Sequence, residues 1–238
     1  MHALIDGDVL KYSCGFASDA NARKEGLEHE SLNFCLHLVN KKIKTILEAC
    51  GADSHTIFLS NTGSYRTDAF PEYKANRDPT HRPHWYKELG EFLEIRHKAV
   101  YSAIGDEADD ALGIAQMSGA DTIICTVDKD LNMIPGWHYN WSPKNWDKGN
   151  YQVSDLEGNR FFYKQLLTGD STDNIPGLFK YKGVKASAKL SGVIDELYTA
   201  EDMYKYVLDL YNGDAEHTNM IARLLWIKRT DAQWTPPN

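Results

Sequence analysis

Apolar residues along this chain fall into two rhythms. Three short continuous runs, 3–5 (Ala-Leu-Ile), 56–59 (Thr-Ile-Phe-Leu) and 122–127 (Thr-Ile-Ile-Cys-Thr-Val), predict strands buried on both faces of a parallel sheet. Between the first two, Leu32, Cys35, Leu38, Val39, Ile43, Ile46 and Leu47 recur every three or four residues, which predicts a helix over 31–50. Ala108, Ala111, Leu112 and Ala115 predict another over 107–118. Strands alternating with helices define an α/β fold with a mainly parallel twisted sheet flanked by helices. Residues 137–163 are aromatic and turn-rich, with Gly136, Pro143 and Gly149 nearby, and predict short strands or a hairpin. From 164 onward the pattern is helical, broken at Ile175-Pro176-Gly177, with amphipathic helices near 200–211 and 215–229 and a frayed tail at 235–238.

The polar residues that end the apolar runs change the picture. Asp6 closes the first run, Asn61 lies one residue beyond Ser60 after the second, and Asp128 closes the third. In an open parallel sheet ligands gather beyond the carboxyl ends of the strands, so all three are expected at one edge. Further carboxylates cluster in Glu107-Ala108-Asp109-Asp110, Asp128-Lys129-Asp130 and Gly169-Asp170-Ser171-Thr172-Asp173-Asn174. Glu107 and Asp110, three apart, share one side of a helix start. Asp170 and Asp173 have the same spacing. Carboxylates brought together in this number repel one another unless divalent cations sit among them. Hard cations held by acidic ligands are a recurrent device for hydrolysing phosphodiesters.

Composition bounds this reading. The 238 residues, 42% hydrophobic and 11% aromatic, suit one large domain or a domain with a small lobe. There is no 18-residue apolar run, so no membrane partner is expected. The strand-like start leaves no room for a signal peptide, and Cys14, Cys35, Cys50 and Cys125 show no C-x-x-C spacing. Reduced core thiols in a cytoplasmic protein are therefore expected. A net charge of -8 argues against a nucleic-acid partner until the acids are counted. Asp6, Glu107, Asp109, Asp110, Asp128, Asp130, Asp170 and Asp173 equal the whole deficit, which leaves the remaining surface near neutral. Residues 175–194 hold Lys180, Lys182, Lys185 and Lys189 and no acid until 195, with Gly177 and Gly183, a composition suited to phosphate contacts. Within Phe70-Pro71-Glu72-Tyr73-Lys74-Ala75-Asn76-Arg77, Lys74 and Arg77 lie one helical turn apart and can address a single phosphate, while Tyr73 offers a ring for base stacking.

Taken in order, Ile5-Asp6-Gly7-Asp8, the Pro71–Arg77 segment, Glu107–Asp110, Asp128–Asp130 and Gly169–Gly177 resemble the 5′→3′ exonuclease and flap endonuclease family, especially its bacteriophage-encoded members. The resemblance runs from about residue 3 to 190. It implies a PIN-like core over 1–165, with a reduced helical arch at about 72–100, and a helical DNA-binding lobe over 166–238 with a helix-hairpin-helix-like motif. It implies two Mg²⁺ or Mn²⁺ ions, the first organised by Asp6, Glu107, Asp109 and Asp110, the second served by Asp128, Asp130, Asp170 and Asp173. Lys74 and Arg77 would polarise the phosphate and Tyr73 would stack near the terminal base pair. Lys180, Lys182, Gly183, Lys185 and Ser187 would meet DNA at the hairpin, with K⁺ bound there. The implied partner is double-stranded DNA with 5′ ends or flaps, cut by a monomer working with replication proteins.

Four features depart from the family pattern. Asn61 stands where an aspartate is usual, and Asp8 where many relatives have asparagine. The hairpin Gly177–Lys185 is one residue longer and lacks the first hairpin glycine. Only 29 residues separate Arg77 from Glu107, which predicts a single helix over 83–95 and a low or open arch. Two rival readings weaken on their residues. A haloacid dehalogenase-type phosphatase would use Asp6-Gly7-Asp8-Val9, but Leu10 breaks its motif, the Asp170–Asp173 spacing is one residue short, and Glu107–Asp110 has no role in it. A DNA-binding module with a decayed metal site is suggested by Asn61 alone, against at least seven retained acids.

Overall fold

The computed structural model describes residues 1–237, so the predicted tail lies partly outside the described residues at Asn238. Six strands, β1 (His2–Asp6), β2 (Ser54–Leu59), β3 (Val100–Tyr101), β4 (Thr122–Cys125), β5 (Gly136–Tyr139) and β6 (Tyr151–Val153), form one sheet of order β3-β2-β1-β4-β5-β6. All pairs are parallel except β5–β6, an antiparallel hairpin. The three predicted runs are the three central strands. Sequence order reverses between β1 and β4, so Asp6 and Asp128 leave the sheet side by side at a switch point.

Strand alternation sends successive side chains to opposite faces. Ala3, Ile5, Ile57, Leu59, Ile123 and Cys125 pack with α1 (Gly7–Glu25), α2 (Leu32–Cys50) and, beyond the short α3 (Tyr65–Ala69), with α4 (Tyr86–His97). Leu4, Phe58 and Ile124 face α5 (Ala108–Ser118) and α6 (Asp155–Thr168). That second cluster continues without a break into α7 (Leu178–Lys182), α8 (Ala188–Asp195), α9 (Ala200–Leu210) and α10 (Ala215–Leu225), through Leu178, Ile194, Met203, Val207 and Ile221. The four cysteines are buried free thiols. No helix among the described residues is long and apolar enough to cross a membrane.

Two elements correct the sequence reading. Residues 155–163, expected in strands or a hairpin, begin α6. Its start is a capping box, with the Ser154 Oγ accepting from Glu157 N at 3.2 Å and Glu157 Oε2 accepting from Ser154 N at 2.8 Å. The Ser-x-x-Glu spacing is a helix-start signal that here outweighs the strand preference of the aromatic residues around it. The long α1 had no predicted counterpart, because its buried positions mix Leu10 and Cys14 with Lys11, Gly15 and Ser18. Its first residue must be glycine: a Cβ on Gly7 would lie 2.5 Å from Phe58 O. α4 does not rise over the sheet edge. Leu89 and Leu93 bury it against α1 and α2, and Pro83 closes so tightly on α1 that a Cβ on Gly15 would lie 2.5 Å away.

Candidate active site

A cleft of about 720 Å³ opens at the carboxyl edge of the sheet. Asp6 reaches it as the N-cap of α1, accepting from Val9 N at 3.0 Å and from the Thr126 hydroxyl at 2.8 Å. Glu107 and Asp109 arrive at the start of α5, and Asp128 and Asp130 in the turn after β4, where Asp128 Oδ1 accepts from Asp130 N at 2.9 Å. Asp170 and Asp173 come from the loop after α6. Asp170 Oδ1 accepts from the backbone N–H of Thr172 at 2.7 Å and of Asp173 at 3.2 Å, which turns the loop back on itself. Lys74 and Arg77 stand on the same rim. Lys74 Nζ donates to Glu107 Oε2 at 2.7 Å, and Arg77 pairs with Asp173.

Two loops far apart in sequence are bonded together to bring these groups in. Lys74 N donates to Asp173 O at 2.9 Å, Asn174 Nδ2 to Glu72 O at 2.8 Å, and Asn76 Nδ2 to Ser171 O at 2.9 Å. Lys74 and Asn174 both take left-handed backbone angles, φ 56° and 57°. Such conformations cost of order 1 kcal/mol or more in a non-glycine residue and persist only where neighbours impose them.

Several expected site residues lie elsewhere. Asp110 is fully buried and turned away from the cleft into a bidentate pair with Arg66, at 2.7 and 2.8 Å, while Lys228 N donates to its Oδ1 at 3.0 Å. Its lone pairs are committed to structure, so it is not positioned as a ligand. Tyr73 is 5% exposed and packs in the core, its hydroxyl donating to Glu107 at 3.0 Å and Asp173 at 3.1 Å, so its ring cannot stack on a base. Asn61 does not line the cleft either. Its amide donates to Ser102 O at 3.1 Å and its Oδ1 accepts from Thr62 N at 2.8 Å, so the end of β2 brings Ser60 to the cleft instead of Asn61. Among the hairpin residues, Lys180, Gly183, Lys185 and Ser187 are exposed, Gly183 as the left-handed cap of α7 and Ser187 as the N-cap of α8. Lys182 instead donates to Leu210 O at the end of α9.

Other residues enter the site that are not among the predicted ligands and DNA contacts. Asp8 lines it while accepting from Ser60 N at 3.1 Å and pairing with Lys11 at 3.3 Å. Tyr12 and Phe16, one turn apart on α1 with ring centroids 5.8 Å apart, form an aromatic wall. Their spacing is informative only once 7–25 is known to be helical. Arg66 carried no local signal at all; its role depends on a partner 44 residues away.

The donor set fits hard divalent cations. Burial, with the neighbouring charges of Asp8 and Asp128, pushes Asp6 up to about 7. Burial and Asp128 push Asp130 up to about 6, and burial with Asp6 and Asp128 raises Asp109 well above the usual carboxylate range. Burial would raise Glu107 too, but the Lys74 and Arg66 charges outweigh it and hold this carboxyl low. The cleft therefore carries more negative charge than its side-chain cations compensate. No three His, Cys, Asp or Glu side chains among the described residues close into a ready cage. Lys74, Arg77 and Lys129 lie between the carboxylates in its stead.

Protons and cations must compete for these groups. Raised folded-state values for Asp6 and Asp130, against an unfolded value of about 3.9, mean that their contribution to metal-free stability falls as pH rises from about 4 to about 7. A bound cation reverses that loss. The rise in Tm on adding Mg²⁺, measured against EDTA, should be close to nil at pH 5. By pH 8 it should reach roughly 5–10 °C at a hundredfold excess over Kd. A shift equal at both pH values would mean that the ion binds elsewhere.

Comparison with known proteins accords with this geometry. Residues 1–140 match the family described as 5′-3′ exonuclease, N-terminal resolvase-like domain, and the chain belongs to that family. DNA polymerase I of Chloroflexus aurantiacus is 28% identical over 248 residues, covering 93% of this chain and 26% of the polymerase. That of Lactococcus lactis subsp. lactis strain IL1403 is also 28% identical, over 92% of this chain and 26% of its own length. The chain thus spans about a quarter of these relatives. Bacteriophage T5 5′-exonuclease with bound zinc superimposes with a TM-score of 0.63 at 19% identity, covering 94% of this chain and 89% of that one. A T5 flap endonuclease complex with DNA and metal ions gives 0.65 at 17% identity, covering 94% and 88%. These structures share the fold, a PIN-like α/β core with its helical extension.

Proposed function

We propose that this chain is a metal-dependent 5′→3′ exodeoxyribonuclease and structure-specific 5′ nuclease. It would hydrolyse phosphodiesters at 5′ ends or flaps of duplex DNA, leave 5′-phosphate products, and serve DNA replication or degradation. The observation that carries this is the convergence of Asp6, Glu107, Asp109, Asp128, Asp130, Asp170 and Asp173 on one cleft rimmed by Lys74 and Arg77. Asp6, Glu107 and Asp109 would hold one divalent cation, and Asp128, Asp130, Asp170 and Asp173 would serve a second, Mg²⁺ or Mn²⁺ in each case. When bound, such ions activate water and stabilise the attacking and leaving oxygens of the displacement.

The chain's own residues do the rest. Lys74 and Arg77, now paired with Glu107 and Asp173, exchange those carboxylates for the scissile phosphate and stabilise its developing charge. Tyr12 and Phe16, not Tyr73, offer the stacking surface beside it. Residues 1–165 cut and 166–238 grip the duplex. Lys180, Lys185 and Lys189, exposed on the α7–α8 hairpin, contact its phosphates.

Because α4 is seated on α1 and α2, nothing in the 78–97 segment forms a tall arch through which a strand must thread. Trimming of recessed or blunt 5′ ends should therefore outpace cutting of long 5′ flaps. A 3′-labelled duplex with a recessed 5′ end and a matched flap substrate with a blocked 5′ terminus, each with Mg²⁺ and with EDTA, test both statements. Short 5′-phosphorylated products released only with Mg²⁺, and faster from the recessed end, are expected. Equal or faster cutting of the blocked flap would sink the substrate preference. Binding without cleavage would sink the nuclease.

A further inference from the structure

One buried side chain at the back of the cleft has the geometry of a support for its carboxylates. α6 presents Gln165 from the protein interior, 7% exposed. Its Nε2 donates to Asp130 Oδ1 at 2.9 Å and lies 3.4 Å from Asp170 Oδ2. Charge decides which way the amide is turned: reversing it would set its carbonyl oxygen against two carboxylates. Lys129 reaches the same two oxygens from the solvent side, at 2.6 and 3.5 Å, but its side chain is 67% exposed. An ion arriving from solvent competes with that mobile ammonium. It leaves the amide, anchored in a core helix, where it is.

The other end of the amide is also informative. Gln165 Oε1 is buried and meets no donor among the described residues. Gln165 lines a cavity of about 30 Å³ behind the carboxylates, shared with Arg66, Asp109, Asp130 and Asp170. A water needs about 10–15 Å³, and a buried oxygen without a donor costs about 1–3 kcal/mol. The site thus has both the room and the reason for an ordered water beside the carboxylates.

We propose that Gln165 is a positioning residue for a divalent cation at Asp130 and Asp170. Its Nε2 holds one oxygen of each carboxylate so that both face the same point, and its Oε1 accepts from a water in the cavity behind them. The inference rests on the metal-dependent reading above. It differs from a structural role in what it affects, because an amide that only filled space would influence folding without regard to which ion site is loaded.

The test is Mn²⁺ titration of the full chain without DNA, followed by the paramagnetic resonance signal of free Mn²⁺, together with Tm in EDTA. Gln165→Met keeps the volume and removes donor and acceptor. It should weaken one of the two Mn²⁺ sites by about 10–100-fold, as loss of an outer partner of a metal ligand does elsewhere. The other site and the metal-free Tm should stay near wild type. In cleavage assays the Mg²⁺ requirement should rise by the same factor with KM for DNA unchanged. Lys129→Met, exposed and no threat to folding, should leave that site's affinity unchanged or raised, since it removes only the competitor. Wild-type affinities in Gln165→Met, uniform weakening of both sites with a lowered Tm, or a loss in Lys129→Met would each overturn the proposal while leaving the nuclease reading intact. Failure of the wild-type chain to bind Mn²⁺ would overturn both.

Discussion

Replacing Asp128 and Asp130 together with asparagine should reduce Mg²⁺-dependent cleavage by at least about 10³-fold and leave the chain folded. Both carboxylates leave the sheet at the switch point beside Asp6, and Asp128 raises the energy of its neighbours. Asp128 is among the charges that push Asp6 up to about 7, and it acts likewise on Asp130 and Asp109. Neutral amides of the same shape relieve that repulsion, so the metal-free Tm should hold or rise. The same change removes the charge that would draw the proposed second cation into the cleft. The DNA binding proposed for the α7–α8 lysines should persist in the absence of cleavage. A double variant that cut at the wild-type rate would move the proposed metal centre away from this cleft, whatever its affinity for DNA.

Arg66→Ala should be the most destabilising single change in the neighbourhood of the site, by about 3–5 kcal/mol. Besides its bidentate pair with Asp110, the guanidinium donates to Leu224 O at 2.9 Å and Trp226 O at 2.6 Å, so it ties the start of α5 to the end of α10. Arg66 is 3% exposed and Asp110 fully buried. Without the arginine, the carboxylate is left charged in the interior with only backbone donors. At roughly 2–4 °C per kcal/mol for a chain of this size, Tm should fall by about 6–20 °C. Arg66→Lys should recover little, because an ammonium cannot reproduce the fork that meets two carboxylate oxygens and two carbonyls. Arg66→Ala combined with Asp110→Ala should be less destabilised than the sum of the two. Urea denaturation of the set measures this, and additive losses would show that the pair does not act as a unit.

The same pair explains why the site was only partly legible in the sequence. Motif spacing put Glu107, Asp109 and Asp110 on one helix start and treated them alike. Yet the first turn of a helix spreads its side chains around the axis. Asp109 faces the cleft, while Asp110, the third residue of the helix and the closing member of its capping box, faces inward to the segment after α10. Which of two adjacent acids faces the cleft depends on a residue 44 positions earlier and on backbone 118 positions later. Tyr73 shows the same limit. Next to Lys74 it reads as a base-stacking ring, but the two loops cross-bonded through Asp173 and Glu72 close over it. The aromatic wall of the cleft belongs to Tyr12 and Phe16, on a helix whose apolar pattern is interrupted by Lys11, Gly15 and Ser18.

What the sequence by itself determined were the features carried by short-range physics. Continuous apolar runs defined the three central strands, three-and-four spacing defined α2 and α5, and acids at strand ends marked the edge where ligands gather. Ordered motifs then pointed to the family. Tertiary structure alone decided which polar groups face the cleft. It turned Asn61 and Asp110 away, brought Asp8 and Gln165 in, seated α4 on the core, and tied Lys182 to α9. The physical reason is that burying a charge or an amide is favourable only with partners in place, and those partners come from segments whose proximity no local pattern encodes.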